Sequence, residues 1–307
     1  MKPYDLDRFK GITIAMYSSY NEHGEINKEA ARKLARHYAS TGVSGLYVGG
    51  SSGEGMLQST EERKQMLEAV IAEVGQELTI IAHVGAPSTR DSVELAKHAE
   101  QAGAHAVSAV PAIYYRLSPQ SVEAHWQAIV DSTSLPFIIY HIPQTTGFQL
   151  SKGLLVKMAA QGKVIGVKIS AESTFELQQF KAAGGKDFLV LNGPDEQYLA
   201  GRSIGADGGI GGTYGVMPEL FLKIEQCYVQ GKMAEAQKWQ FIVNELIVEL
   251  LSFPSLYGAC KAILKLRGFD TGEPRMPLLP VAASDMDRIE LLNERILNDI
   301  SQAKSLA

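Results

Sequence analysis

Apolar and polar residues alternate along the chain in blocks. Short runs rich in β-branched and aliphatic side chains recur at fairly even intervals: ITIAMYS (12–18), GLYVGG (45–50), TIIAHVGA (79–86), AVSAVPAI (106–113), PFIIYHIP (136–143), VIGVKIS (164–170), FLVLNG (188–193) and GGIGGTYG (208–215). Each is apolar at successive positions rather than at every second one, the pattern of parallel strands buried on both faces. Between them lie amphipathic stretches. STEERKQMLEAVIAEV (59–74) offers Ser59 or Thr60 as a cap, carries acidic residues in its first turn, and repeats Met66, Leu67, Val70, Ile71 and Val74 at helical spacing. STRDSVELAKHAEQAG (88–103) has the same order and closes on Gly103, where a left-handed helix stop costs little.

Eight strand-helix units in about 215 residues, with no long structureless insertion, predict a (β/α)8 TIM barrel. An open doubly wound sheet is the alternative, but the glycine-rich dinucleotide fingerprint is missing. After residue 216 the strand signal stops and helical stretches follow, near 217–230 and then at 233–251, 256–268 and 284–303, with Pro277 and Pro280 breaking the last connection. The expected division is a barrel over 1–230 and a C-terminal helical extension over 231–307 packed on it.

Composition narrows the function classes. With 307 residues and 45% hydrophobic content the chain can bury a large core. The net charge is −5 and the basic residues are scattered, so neither nucleic acid nor an anionic membrane is an expected partner; a small molecule is. No apolar run approaches the roughly 20 residues that span a bilayer, and MKPYDLDRFKG lacks a signal-peptide core, so a cytoplasmic protein is expected. Cys227 and Cys260 lie in helical stretches without Cys-x-x-Cys spacing and read as buried thiols. The seven histidines show no ligand spacing, so no metal is expected; His83 and His141 read as core or strand-end residues, and Trp126 and Trp239 as packing residues.

Barrel enzymes work at the C-terminal ends of their strands, and there this sequence turns polar and glycine-rich. The second strand runs into GGSSGEG (49–55), where Ser51 and Ser52 beside close-approaching backbone make either a carboxylate cradle or a tight turn that caps the next segment. The fifth strand ends at Tyr140 and the sixth at Lys168. A phenol and an amine at neighbouring strand ends are what imine chemistry requires: a nucleophile, and a hydroxyl to relay protons. Lys168 has a plainer alternative, an ion pair with Glu54 or Asp195. Further on, NGPDE (192–196) offers Asp195 and Glu196, either as acceptors for the vicinal hydroxyls of a polyhydroxylated substrate or as helix caps, and Thr213 adds a hydroxyl at the eighth strand.

In this order and spacing, GLYVGGSSGE (45–54), IIYHIPQTTG (138–147), GVK (166–168), NGPDE (192–196) and GADGGIGGTYG (205–215) resemble the pyruvate-dependent class I aldolase family that contains N-acetylneuraminate lyase and dihydrodipicolinate synthase. The likeness runs from about residue 10 to 300. It implies a homotetrameric (β/α)8 barrel with a helical extension, and a Schiff base between pyruvate and Lys168. By the same resemblance Ser51 and Ser52 fall where the family binds the pyruvate carboxylate, and Tyr140 where it keeps its proton-relay tyrosine. Tyr114, in AIYYRLS, falls where the family inserts a tyrosine into the neighbouring subunit's site. Gly193, Asp195 and Glu196 match positions that bind the sugar chain in the neuraminate lyases.

Three positions bear on the choice within the family. Thr145 stands where dihydrodipicolinate synthases generally carry an arginine for a second carboxylate, and a neutral threonine makes no such pair. Gly212 stands where the lyases commonly show a serine, and Ser170 where they show a threonine. The resemblance implies cofactor-free cleavage of N-acetylneuraminate to N-acetylmannosamine and pyruvate. The alternatives are the same chemistry on another 2-keto-3-deoxy sugar acid, or a dihydrodipicolinate synthase-like condensation. A non-catalytic keto-acid-binding barrel would need neither Lys168 nor Tyr140.

Overall fold

Each apolar run pairs with the next, and the last pairs with the first. In a computed structural model, which describes residues 4–305, the strands are β1 (Gly11–Ala15), β2 (Gly45–Val48), β3 (Thr79–His83), β4 (Ala106–Ala109), β5 (Phe137–His141), β6 (Val164–Ile169), β7 (Leu189–Asn192) and β8 (Gly208–Gly211). All are parallel and joined in chain order, with β8 against β1 closing the barrel. The helices around it are α1 (Lys28–Ser40), α2 (Thr60–Val74), α3 (Thr89–Ala102), α4 (Pro119–Asp131), the single turn α5 (Pro143–Thr146), α6 (Lys152–Ala159), α7 (Thr174–Gly184), α8 (Tyr198–Ser203) and α9 (Pro218–Val229). Then come α10 (Met233–Leu251), α11 (Leu256–Leu266) and α12 (Met286–Ser305). None of the described helices alone is long and apolar enough to cross a bilayer.

The strands stop before the apolar runs do, by one residue at β6 and four at β4 and β8. The residues past the ladder leave the hydrogen-bonded sheet but stay under the helices: Met16, Tyr17, Val84, Val110 and Tyr214 are all buried. Composition therefore continued where pairing did not. Helix starts match their caps. Ser59, not Thr60, caps α2 in a reciprocal pair with Glu62, Ser88 caps α3, and Gly103 ends α3 at φ 93°. Both cysteines are buried and free, and Trp126 and Trp239 are core residues.

Two apolar layers result. One lies between barrel and helices and includes Ile12, Ile14, Val107, Val164, Val167 and Ile169; the other fills the lumen with Ile81, Ile138, Tyr140, Ile165, Leu189, Leu191 and Ile210. The β5–β6 register slips between Phe137 and Ile138, with Phe137 opposite Val164 but Ile138 opposite Gly166. That bulge resets the alternation, so Val164 packs outward and Lys168, four residues on, lines the lumen cavity. Gly166 is obligatory here: a Cβ would sit 2.7 Å from the Leu189 carbonyl oxygen and 2.8 Å from its Cβ.

Candidate active site

Tyr140 and Lys168 are direct cross-strand partners at the C-terminal end of β5 and β6. Lys168 is 5% exposed, and its Nζ lies 4.0 Å from the Tyr140 ring centroid and 4.9 Å from that of Tyr47. The carboxylates named as its plainer partners are engaged elsewhere. Glu54 Oε1 lies 2.7 Å from Lys261 Nζ. Asp195 Oδ2 accepts from the backbone N–H of Thr213 at 2.7 Å and from its hydroxyl at 2.6 Å. The ion-pair alternative for Lys168 is thereby corrected: its close neighbours are aromatic faces and hydroxyls.

Burial alone would raise the Tyr140 pKa. The charge of Lys168 and hydrogen bonds from Ser51, Ser170 and Lys168 outweigh it and hold the phenol below its ordinary value. A phenol eased toward phenolate beside an amine can take a proton from it and return it, which is the relay that carbinolamine formation and collapse demand.

Ser51 is exposed, Ser52 is buried, and neither caps α2. The loop turns through Glu54 at φ 54°, with the Glu54 N–H donating to the Ser51 carbonyl at 3.0 Å. Opposite, a Cβ on Gly212 would sit 2.5 Å from Ser52 Oγ, so the bare glycine leaves room for that hydroxyl where a residue with a side chain would press on it. The Gly212 carbonyl is fixed from behind by the Tyr17 hydroxyl at 2.7 Å.

Asp195 is 7% exposed and caps no helix; it ties the end of β7 to Thr213 beyond β8. Its Oδ1 is buried without a partner, and burial raises the carboxyl pKa to about 6. Glu196 beside it is exposed, and its backbone carbonyl accepts from Asn244 Nδ2 at 3.1 Å. An ionised carboxylate accepts from vicinal hydroxyls at both oxygens, and protonation turns one of them into a donor and weakens the pairing. As pH falls through about 6 the Asp195 carboxyl protonates, so the KM for a sugar acid is expected to rise below that pH; Asp195→Asn should flatten this limb. A wild-type KM constant between pH 5 and pH 7.5, measured by steady-state kinetics, would contradict that role for Asp195.

Ser51, Ser52, Tyr140, Lys168 and Ser170 share one cavity of about 260 Å³ with Gly193, Asp195, Glu196 and Gly212. Tyr114 stands apart: it is 91% exposed at φ 83°, its ring edge-on to Tyr115. Thr145 on α5 is exposed and lines no part of the cavity. A larger hollow of about 560 Å³, between α1 and Gly268–Asp270, is a surface groove holding none of these groups. Sequence reasoning missed the cavity's apolar wall, which comes from Ile142, from Ile247 and Leu251 on α10, and from Leu256 and Tyr257 on α11. Ser255 caps α11 and fixes where Tyr257 falls, but nothing local says that this helix reaches the barrel mouth.

A closed eight-stranded barrel that gathers a buried amine, a phenol in register with it and a serine-lined recess into one cavity at its strand ends has the layout of a barrel enzyme. More narrowly, the chain belongs to the dihydrodipicolinate synthetase family, whose profile matches residues 8–294. It is 43% identical to an N-acetylneuraminate lyase of Mediterraneibacter gnavus over 93% of this chain and 92% of that one. It is 38% identical to an N-acetylneuraminate lyase of Rhizobium meliloti over 91% and 92%. Among solved structures, a catalytic lysine mutant of the Ruminococcus gnavus sialic acid aldolase superposes with a TM-score of 0.96 at 41% identity, covering 98% of this chain and 99% of that one. A dihydrodipicolinate synthase of Bacillus anthracis superposes at 0.89 with 25% identity, covering 93% and 98%.

Proposed function

We propose that this protein is a Schiff-base lyase that reversibly cleaves N-acetylneuraminate to N-acetylmannosamine and pyruvate. The observation that carries the reading is the Tyr140–Lys168 pair, buried in register within one cavity with Ser51, Ser52 and Asp195. Neutral Lys168 adds to the keto carbon of the open-chain acid; Tyr140 moves the protons as the carbinolamine loses water and becomes an iminium. Tyr140 then accepts the proton of the hydroxyl two carbons from the imine carbon. That electron pair forms the aldehyde, the adjacent carbon–carbon bond breaks, and its electrons pass into the iminium to give an enamine. Protonation of the enamine carbon and hydrolysis release pyruvate and restore Lys168. Ser51 and Ser52 hold the carboxylate, while Ser170, Gly193, Asp195, Glu196 and the open side of Gly212 line the path of the sugar chain.

A second reading keeps the chemistry and changes the sugar, and Gly212 with Ser170 favours it, since the first offers no hydroxyl to the chain and the second offers one without a threonine's methyl. Pyruvate release from N-acetylneuraminate, ketodeoxygluconate and related keto acids separates the two. The leading reading expects N-acetylneuraminate to have the highest kcat/KM of the panel, and a higher value for ketodeoxygluconate would replace it. The same reading makes the enzyme a cytoplasmic homotetramer, with residues 1–230 as the barrel and 231–307 as the extension; positions 1–3 and 306–307 lie outside the described residues. Tyr114, exposed and held at positive φ, supports insertion into a neighbour's site. Sedimentation under assay conditions reads the assembly, and a fully active monomer would contradict it.

A further inference from the structure

Among the buried cations to which the mechanism gives no task is Arg63. On the inner side of α2, it is 6% exposed and forms no ion pair among the described residues. Its Nη1 donates to the Gly85 carbonyl at 2.8 Å and its Nη2 to the His83 carbonyl at 2.6 Å, with Nη2 also 3.3 Å from His83 Nδ1. Nε has no partner. A guanidinium kept out of water without a counter-charge costs stability, so its retention against two carbonyls at a turn asks for a reason.

His83 supplies the link to the reacting groups. It ends β3, and both ring nitrogens are held: Nδ1 lies 3.0 Å from the Gly49 carbonyl and Nε2 accepts from the Val110 N–H at 3.4 Å. An accepting Nε2 assigns the proton to Nδ1, which donates it to Gly49, the residue from which the Ser51–Ser52 loop departs. The imidazole stands edge-on to Tyr140 at 5.9 Å and 84°, and Tyr47 stands edge-on to Tyr140 at 6.0 Å and 84°. The Tyr47 hydroxyl is itself tied to Ser108 at 3.0 Å. Tyr140 thus rests against two fixed rings that also meet each other at 5.9 Å, with Lys168 over its face.

We propose that Arg63 is a positioning residue for imine formation. By gripping the His83 and Gly85 carbonyls it fixes the His83 imidazole, and through that ring both the Tyr140 phenol over Lys168 and the root of the serine loop. The proposal rests on the Schiff-base reading of the site. The charged and titratable groups facing His83 are Arg63 from α2, Lys168 from β6, Tyr47 from β2 and Tyr140 from β5, while Lys64 from α2 and His98 from α3 line the small hollow beside it. Burial first, then the Arg63 charge, keep the imidazole neutral, which spares the developing iminium a further cation beside it.

The test is the rate of borohydride trapping at saturating pyruvate, followed across pH for wild type, Arg63→Met, Arg63→Lys and the Arg63→Met/His83→Gln double variant. Using pyruvate makes the result independent of which sugar acid is the substrate. Arg63→Met should trap about tenfold to a hundredfold more slowly, because the wedge behind Tyr140 is loosened. Its pH profile should also gain an acid limb, since losing the guanidinium removes the second of the causes that hold His83 neutral and moves its titration to higher pH than in wild type. The double variant should keep the loss and shed that ionisation. Arg63→Lys retains charge but cannot fork to two carbonyls, so it should lose rate without the new limb. A folded Arg63→Met that traps at the wild-type rate with the wild-type profile overturns the proposal; should Arg63→Met not fold, a wild-type rate in Arg63→Lys overturns it instead. A wild type that pyruvate and borohydride do not modify removes the Schiff-base reading first, and this inference with it.

Discussion

Lys168→Ala is expected to abolish pyruvate release and borohydride trapping together, a loss on the order of 10⁶-fold or more in turnover. Tyr140→Phe is expected to keep trapping, slowed, while turnover falls by about 10²–10⁴-fold, the usual worth of one positioned proton relay. The two losses are expected to separate because, in the proposed mechanism, the amine makes the covalent bond and the phenol only moves protons. Neither variant should unfold the barrel. Lys168 forms no ion pair among the described residues, so its removal breaks none, and Phe keeps the ring that packs on His83 and Tyr47. Pyruvate release coupled to a dehydrogenase, with circular dichroism as the control for folding, measures both. A Lys168→Ala protein retaining even one hundredth of the wild-type turnover would remove Lys168 from the covalent role.

The largest stability effect is expected at Lys261. Its ammonium and the Glu54 carboxylate meet at 2.7 Å with side chains 1% and 0% exposed, joining α11 to the serine loop. Glu54 Oε2 also accepts the Arg275 N–H at 2.7 Å, and Lys261 Nζ lies 4.3 Å from the Tyr20 ring centroid. Lys261→Met strands Glu54 as a buried, unpaired charge, at a cost of about 3–5 kcal/mol. Lys261→Met with Glu54→Gln removes both charges and should recover most of the loss. Because Glu54 holds the turn that presents Ser51 and Ser52, the KM for pyruvate in the reverse reaction should rise in the single variant as well. Urea unfolding gives the stabilities; a single variant within 1 kcal/mol of wild type, about the worth of an exposed pair, would mean that this pair is not structurally decisive.

Much of the fold was legible because a parallel barrel repeats one instruction. Apolar runs such as TIIAHVGA and FLVLNG are buried on both faces wherever they sit, and Ser59, Ser88 and Gly103 mark helix ends by local chemistry alone. The extent of each strand was not legible, since Met16 and Val110 are as buried beyond the ladder as residues within it. The bulge that turns Lys168 inward was also invisible, since it depends on how β6 pairs with Phe137 and Ile138 and leaves no mark in VIGVKIS beyond Gly166.

The site divided in the same way. Residues that end strands could be found, because the barrel places every strand end at one rim. Residues that reach the rim from elsewhere could not: Tyr257 arrives on a helix past the barrel, and Lys261 meets Glu54 from the far end of the chain. Asp195 and Ser52 were ambiguous as caps until their partners were seen. Asp195 spends one oxygen on Thr213 and keeps the other unpaired, and Ser52 faces the gap left by Gly212.

Whether Lys168 attacks the keto carbon of N-acetylneuraminate is decided by adding borohydride while the enzyme turns over that substrate and mapping the adduct by peptide mass spectrometry. One reduced adduct is expected, on the peptide that contains Lys168. An adduct on another lysine, or pyruvate released with no adduct at all, would contradict it.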